Sequence, residues 1–218
     1  MAYPSSPLYS ASLHLQKRSV IQTLLTTTFL LMVWTSPSVA GVPTTFLQAQ
    51  VKAARVLIAQ PTPDRATRAR VDQGLMKLIH PLMNFPVMSR AVIGKRWAGL
   101  KPADQGRFIT LFRDLVFFSY LKRIRSANEE YTMVYEDEEV TKEGAMVEAI
   151  AQTKKGEIEL SFKLSSSKTA GAFEVSDVLI DEVSLVENYR EQFTKIIQKD
   201  GFEALIKRME DQLEKVKR

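Results

Sequence analysis

Between residues 131 and 180 the apolar side chains of this chain recur at every second position, whereas on either side they recur at every third or fourth. A period of two sends alternate side chains to opposite faces of a strand, and a period near 3.6 lines one side of a helix. Ile158, Leu160, Phe162 and Leu164 alternate with Glu159, Ser161 and Lys163, as expected for an antiparallel strand with one face on a core and the other in water. Residues 146–153 and 173–180 read as two more strands, with Lys154-Lys155-Gly156 as one connection and residues 165–171 as a loop. Tyr131, Met133 and Tyr135 form a shorter strand. The acidic run at residues 136–139 then begins a turn and reads as a solvated hairpin tip, since it lacks the alternating ligands and glycine that a calcium loop would need. Such a block cannot cover its own apolar face. The expected fold class is α+β: a four-stranded antiparallel twisted sheet wrapped by about six helices, with an apolar cavity between sheet and helices.

The flanking helices have recognisable ends. Thr44 or Thr45 can cap a helix reaching about residue 59, which Pro61 and Pro63 terminate, and Asp64 can cap a second that Pro81 interrupts. Residues 84–97 suggest a short helix. Pro102 suits the first turn of a long one reaching about residue 127. That helix is apolar on nearly every side from Leu115 to Leu121, so it must be covered all round there. Two further helices are expected over residues 182–198 and 201–217, the last carrying a stripe of Phe202, Leu205, Ile206, Met209, Leu213 and Val216.

The start of the chain has a different character. Lys17 and Arg18 precede a mostly apolar run over residues 20–34, and Ser38-Val39-Ala40 then has the small-residue spacing that signal peptidase reads. The run falls short of the roughly 20 residues that span a bilayer, and Gln22 and the triplet Thr26-Thr27-Thr28 dilute it. Residues 1–40 are therefore expected to be a cleaved secretory signal peptide and residues 41–218 one mature domain. With no cysteine to carry a lipid anchor or a disulfide, the product is expected to be free and periplasmic. The net charge of +5 is spread along the chain and gives no nucleic-acid footprint.

Catalytic chemistry is thinly supplied. The chain has no Cys and two His, of which His14 lies in the leader, and His80 beside Pro81 reads as a surface or capping residue. No phosphate-cradling loop, nucleophile elbow or zinc-protease motif occurs. Asp181 and Glu182 are adjacent and cannot face one another across a substrate. The expected protein is not an enzyme and needs no cofactor. Its surplus of apolar residues forms either plain core or the wall of a cavity for an apolar ligand.

Two segments resemble the periplasmic lipid-carrier family of the Mla pathway, also called toluene-tolerance proteins. One is Phe85-Pro86-Val87-Met88-Ser89-Arg90-Ala91-Val92-Ile93-Gly94 with Trp97, continuing into Gln105, Phe108, Phe112, Leu115 and Tyr120. The other runs from Asp177 through Asp181, Ser184 and Tyr189 to Phe193, followed by Gly201 and Leu205-Ile206. Phe173 departs from the Trp usual in that family. The resemblance implies a carrier of phospholipid between inner and outer membranes that maintains outer-membrane lipid asymmetry. Its implied partners are an inner-membrane ABC transporter complex and an outer-membrane lipoprotein complex, with phospholipid as cargo. A hopanoid cargo and a non-carrier docking subunit are the alternatives. Val92, Phe112, Val116, Tyr120, Ile150, Phe162, Val175, Val178 and Phe193 match the family and face inward by pattern, so they are the expected lining. A charge at Phe112 or Val116 is expected to leave the protein folded and lipid-free. Tyr120 and Tyr189 are candidates to meet the lipid ester or phosphate at the mouth, as are Arg90 and Arg190. Mass spectrometry of the exported chain should find Gly41 as the first residue; an intact Met1 end would overturn the leader.

Overall fold

The computed structural model describes residues 41–126, 131–154, 156–167 and 172–217. The expected leader lies outside the described residues. Six α-helices and five strands run in the order α1 (Val42–Ile58), α2 (Arg65–Leu82), α3 (Phe85–Ile93), a 3-10 helix (Gly94–Gly99), α4 (Pro102–Ser126), β1 (Thr132–Val140), β2 (Ala145–Thr153), β3 (Gly156–Ser166), β4 (Phe173–Ile180), β5 (Val183–Ser184), α5 (Leu185–Asp200) and α6 (Phe202–Lys217). The sheet is an antiparallel meander, each strand pairing with the next.

The fifth strand corrects the expected four. It is two residues long, so it carries no period that a sequence could reveal. Asp181 and Glu182 form the turn before it, both in the left-handed region (φ 48° and 65°), which closes a two-residue hairpin between Ile180 and Val183. Asp181 is held there by donating its N–H to the Glu159 carbonyl and accepting the Glu159 N–H on Oδ1.

The acidic run is a second correction. Residues 136–139 lie within β1, and the hairpin tip falls at residues 141–144. There Gly144 passes so close to β3 that an added Cβ would lie 2.0 Å from the Leu164 carbonyl oxygen. A bulge at Glu136 shifts the alternation, leaving Asp137 and Glu139 on the outer face and turning Glu138 inward. Glu138 then accepts the Thr44 N–H at 2.8 Å and the Thr44 hydroxyl at 2.6 Å. A carboxylate thus caps the first turn of α1 across the sheet edge, where free N–H groups and the helix dipole favour negative charge. Outward charges on an edge strand also oppose pairing with another chain.

A second bulge, at Ser176, turns Asp177 to the outer face opposite Lys163 while Val175 stays inward opposite Leu164. Asp177 is 7% exposed. Its carboxylate accepts the Ser184 hydroxyl at 2.7 Å and the N–H groups of Val178 and Val186. Ser184 in turn caps α5 by accepting the Glu187 N–H. One buried carboxylate therefore ties β4, β5 and the start of α5 together.

Pro81 does not end α2, which continues to Leu82. His80 in that last turn is not a surface residue: its ring sits edge-on against Phe85 and Phe117, at 6.2 and 5.5 Å between centroids. Burial holds its imidazole below the usual range near 6.5, with Arg113 pushing the same way and Asp114 opposing.

Three measurements test these joints. Asp177→Ala should lower stability by about 2–4 kcal/mol by stranding buried donors, a Tm drop of roughly 5–15 °C. Asp177→Asn keeps an acceptor oxygen and should lose less than half of that. Glu182→Gly removes left-handed strain and should raise stability by about 0.5–1 kcal/mol in thermal melts. Because the folded chain favours neutral His80, the unfolded chain binds the proton first, so stability should fall as pH drops below about 6.5. His80→Gln should flatten that segment of the Tm–pH curve.

Candidate functional site: an uncovered apolar sheet face

Domains of this size usually hold one contiguous buried core. Here the buried apolar side chains among the described residues form three separate clusters. The largest joins α3, α4, α5 and α6 around Phe85, Phe108, Phe112 and Phe193. A second joins α1, α2 and α4 through Val71, Leu75, Phe117 and Leu121. The third lies on the sheet, where Leu47 of α1 meets Val147, Leu164 and Val175. The long helix α4 is apolar all round because it serves two helical clusters at once: Phe108, Phe112, Leu115 and Val116 in one, Phe117 and Leu121 in the other. Its principal packing partners are α6 and α3, not the sheet.

Strand register assigns the sheet's inner face. Met133, Ala151 and Ile158 stand in one row; Tyr135, Ala149, Leu160 and Ile180 in the next; then Val147, Phe162 and Val178; then Ala145, Leu164 and Val175. Three of the four β2 positions are alanine, so this strand fills little of the space above itself. Burial falls off along the face. Val147 and Val175 are essentially sealed, Phe162, Val178, Leu160 and Ile180 are half-buried, and Ile158 is 38% exposed. Met133, Ile158, Leu160 and Ile180 pack into none of the three clusters. Leu57, Met76, Ile79 and Phe118 on the helical side are likewise only partly buried. An apolar face left in this condition costs about 25 cal/mol for each Å² in contact with water. It is the kind of surface a hydrophobic ligand covers.

The residues expected to line a cavity fall into two separate places. Phe162, Val175 and Val178 lie on the inner face. Val92, Phe112, Val116 and Phe193 lie deep in the helical cluster, with Tyr120 and Tyr189 half-buried against it. Phe112 and Val92 have no exposed surface, and Phe112 contacts the rings of Phe85, Phe108, Tyr189 and Phe193. A charge at Phe112 or Val116 would be sealed among these side chains, so it would cost stability before it touched any ligand. Ile150 is on the outer face, in one row with Val134 and Glu159. Arg190 is committed to the fold: Nε donates to the Ala91 carbonyl at 2.8 Å, and the guanidinium pairs with Glu187 at 2.7 Å. Arg90 is exposed on α3.

Sequence reasoning placed Leu160 on the sheet's apolar face but left it out of the expected lining, and it passed over Met133, Tyr135, Ile158 and Ile180, although the alternation that places them was plain. It also passed over Tyr135's hydroxyl, which is buried without a partner among the described residues. Burial, then the neighbouring Tyr131, push that phenol up to about 12, with Arg55 opposing, so it stays a neutral donor. A separate notch of about 380 Å³, lined by Ile93, Arg96, Leu100, Ile197 and Phe202, opens to solvent among the helices and does not touch the sheet. No group of three or more His, Cys, Asp or Glu among the described residues could hold a metal ion.

Known proteins resemble this arrangement. A phospholipid-binding protein from Ralstonia solanacearum, solved in complex with a phospholipid, matches with a TM-score of 0.68. The match covers 80% of this chain and 98% of that one at 18% identity, a likeness of fold. No curated protein sequence matches the chain. The description "MlaC protein" belongs to the family whose sequence pattern matches residues 48–211, three quarters of the length. The chain belongs to the MlaC family.

Proposed function

We propose that residues 41–218 form a non-enzymatic periplasmic carrier of phospholipid between inner and outer membranes. In this role it exchanges cargo with an inner-membrane ABC transporter complex and an outer-membrane lipoprotein complex, and so maintains outer-membrane lipid asymmetry. The observation that carries the proposal is the half-buried inner face of the sheet, where Met133, Ile158, Leu160 and Ile180 pack into none of the three buried clusters. Membership of the MlaC family and the fold shared with a phospholipid complex support it. Among the described residues no helix is long and apolar enough to cross a membrane.

The energetics require an enclosing carrier. Each CH₂ of an acyl chain brought into water costs about 0.8 kcal/mol, so a sixteen-carbon chain faces on the order of 12 kcal/mol. An exposed patch recovers only part of that, because one side of the chain stays wet. A sheet face opposed by helices shields both sides. The headgroup remains in water at the open end, which is why no catalytic constellation is needed.

Organic extraction of the purified protein followed by lipid analysis should yield a two-chain phospholipid. An empty protein would count for a docking subunit, and a polycyclic lipid would redirect the cargo. Leu160→Glu should melt within a few degrees of the parent, since Leu160 is half-exposed and outside every cluster, yet carry no lipid. Phe112→Ala should do the reverse, losing about 3–5 kcal/mol of stability while the folded fraction keeps its lipid.

A further inference from the structure

Beside the start of β1, a cation on α1 and a buried hydroxyl without a hydrogen-bond partner among the described residues come together. Arg55, exposed on α1, lays its guanidinium 4.8 Å from the ring centroid of Tyr131, the residue that precedes β1. No acidic side chain among the described residues pairs with it. Tyr131 continues the alternation of Met133 and Tyr135, and Tyr135 presents its unpartnered hydroxyl on that same inner face. Arg55 lies close enough to both phenols to act on their ionisation, which puts the three groups in one neighbourhood between α1 and β1.

These groups have a definite chemical preference. A guanidinium laid on an aromatic ring keeps its N–H fork in one plane and loses little freedom when an oxyanion arrives. It offers two parallel charge-assisted hydrogen bonds to a phosphate. A neutral phenol adds one donor without a competing charge. One positive charge beside an apolar trough suits a group that is anionic at one end and apolar beyond. A neutral hydroxyl headgroup can accept single hydrogen bonds there but gains no charge-assisted pair.

The geometry points to Arg55 and Tyr135, with Tyr131 as the platform beneath the guanidinium, as the site that receives the phosphodiester of the cargo lipid. This inference rests on the carrier function proposed above. It places headgroup recognition at the α1–β1 edge, away from Arg190 and Tyr189 on α5.

The test loads delipidated full-length mature chain from vesicles holding equal amounts of phosphatidylglycerol and a diacylglycerol with the same acyl chains, read by native mass spectrometry. The parent should take phosphatidylglycerol in preference. Arg55→Gln should weaken that preference roughly tenfold and leave diacylglycerol uptake unchanged, with Arg55→Lys between the two. Tyr135→Phe, which keeps the ring and its packing, should weaken it several-fold. If both variants load the two lipids in the parent ratio, the site assignment is overturned and the carrier function stands. If the parent loads neither lipid, the carrier function itself fails. Free phosphate offers the same chemistry: millimolar inorganic phosphate that raises the parent's Tm but not that of Arg55→Gln, with lipid preference unaffected by the substitution, would assign the site to the free ion and overturn the proposal.

Discussion

The division of α4 between two helical clusters governs the rest of the molecule. A helix that buries Phe108 and Phe112 against α3, α5 and α6, and Phe117 and Leu121 against α1 and α2, spends its buried apolar side chains on other helices, while Phe118 stays partly buried. Other elements meet the sheet's buried patch: Leu47 of α1, Leu82 at the end of α2 and Met83 just after it pack there, and Phe46 of α1 lays its ring edge-on against Phe173. At that end the Met83–Val175 bridge and the Asn84 N–H on the Val175 carbonyl tie the α2–α3 junction to β4. Further along the face, Met133, Ile158, Leu160 and Ile180 pack into none of the three clusters. A surface that a folded chain would ordinarily hide is left for something else to occupy.

Much of this architecture was legible in the residues because it rests on periodicity. The alternation from Ile158 to Leu164 showed which side chains of β3 face inward, and the stripe on α6 showed which face it buries. What escaped was set by contacts distant in sequence. Nothing near residues 136–139 announces that a bulge will turn Glu138 inward to cap a helix ninety-four positions earlier. Nothing near Val183 announces a strand, since two residues have no period. His80 beside a proline looks like a frayed helix end until the rings of Phe85 and Phe117 are seen around it.

The candidate site was harder to read than the fold, for a physical reason. A side chain that lines an apolar cavity and one that packs in a core satisfy the same requirement of exclusion from polar surroundings, so both appear as apolar positions on an inward face. Phe112 and Leu160 carry equal weight on a helical wheel or a strand diagram. They differ only in whether a neighbour fills the space opposite, and that depends on how helices from other parts of the chain divide their surfaces. The same limit applied to the arginines. Arg190 and Arg55 are both long cations on amphipathic helices, but one is spent on the Ala91 carbonyl and Glu187 while the other lies on Tyr131 with no acid beside it among the described residues.

The segment that most clearly resembles a family turns out to be a folding device. Asp177 and Ser184 join β4, β5 and α5 through hydrogen bonds on the outer face, away from the apolar trough. Their chemistry tolerates few replacements, because a side chain without an acceptor at Asp177 leaves the buried Val186 N–H without its partner. The inner face asks only for apolar bulk at alternate positions, which many residue combinations supply. On that chemistry a chain can keep this joint and rebuild its trough. Likeness at Asp177 then speaks to architecture, and the nature of the cargo has to be argued from the trough and its rim.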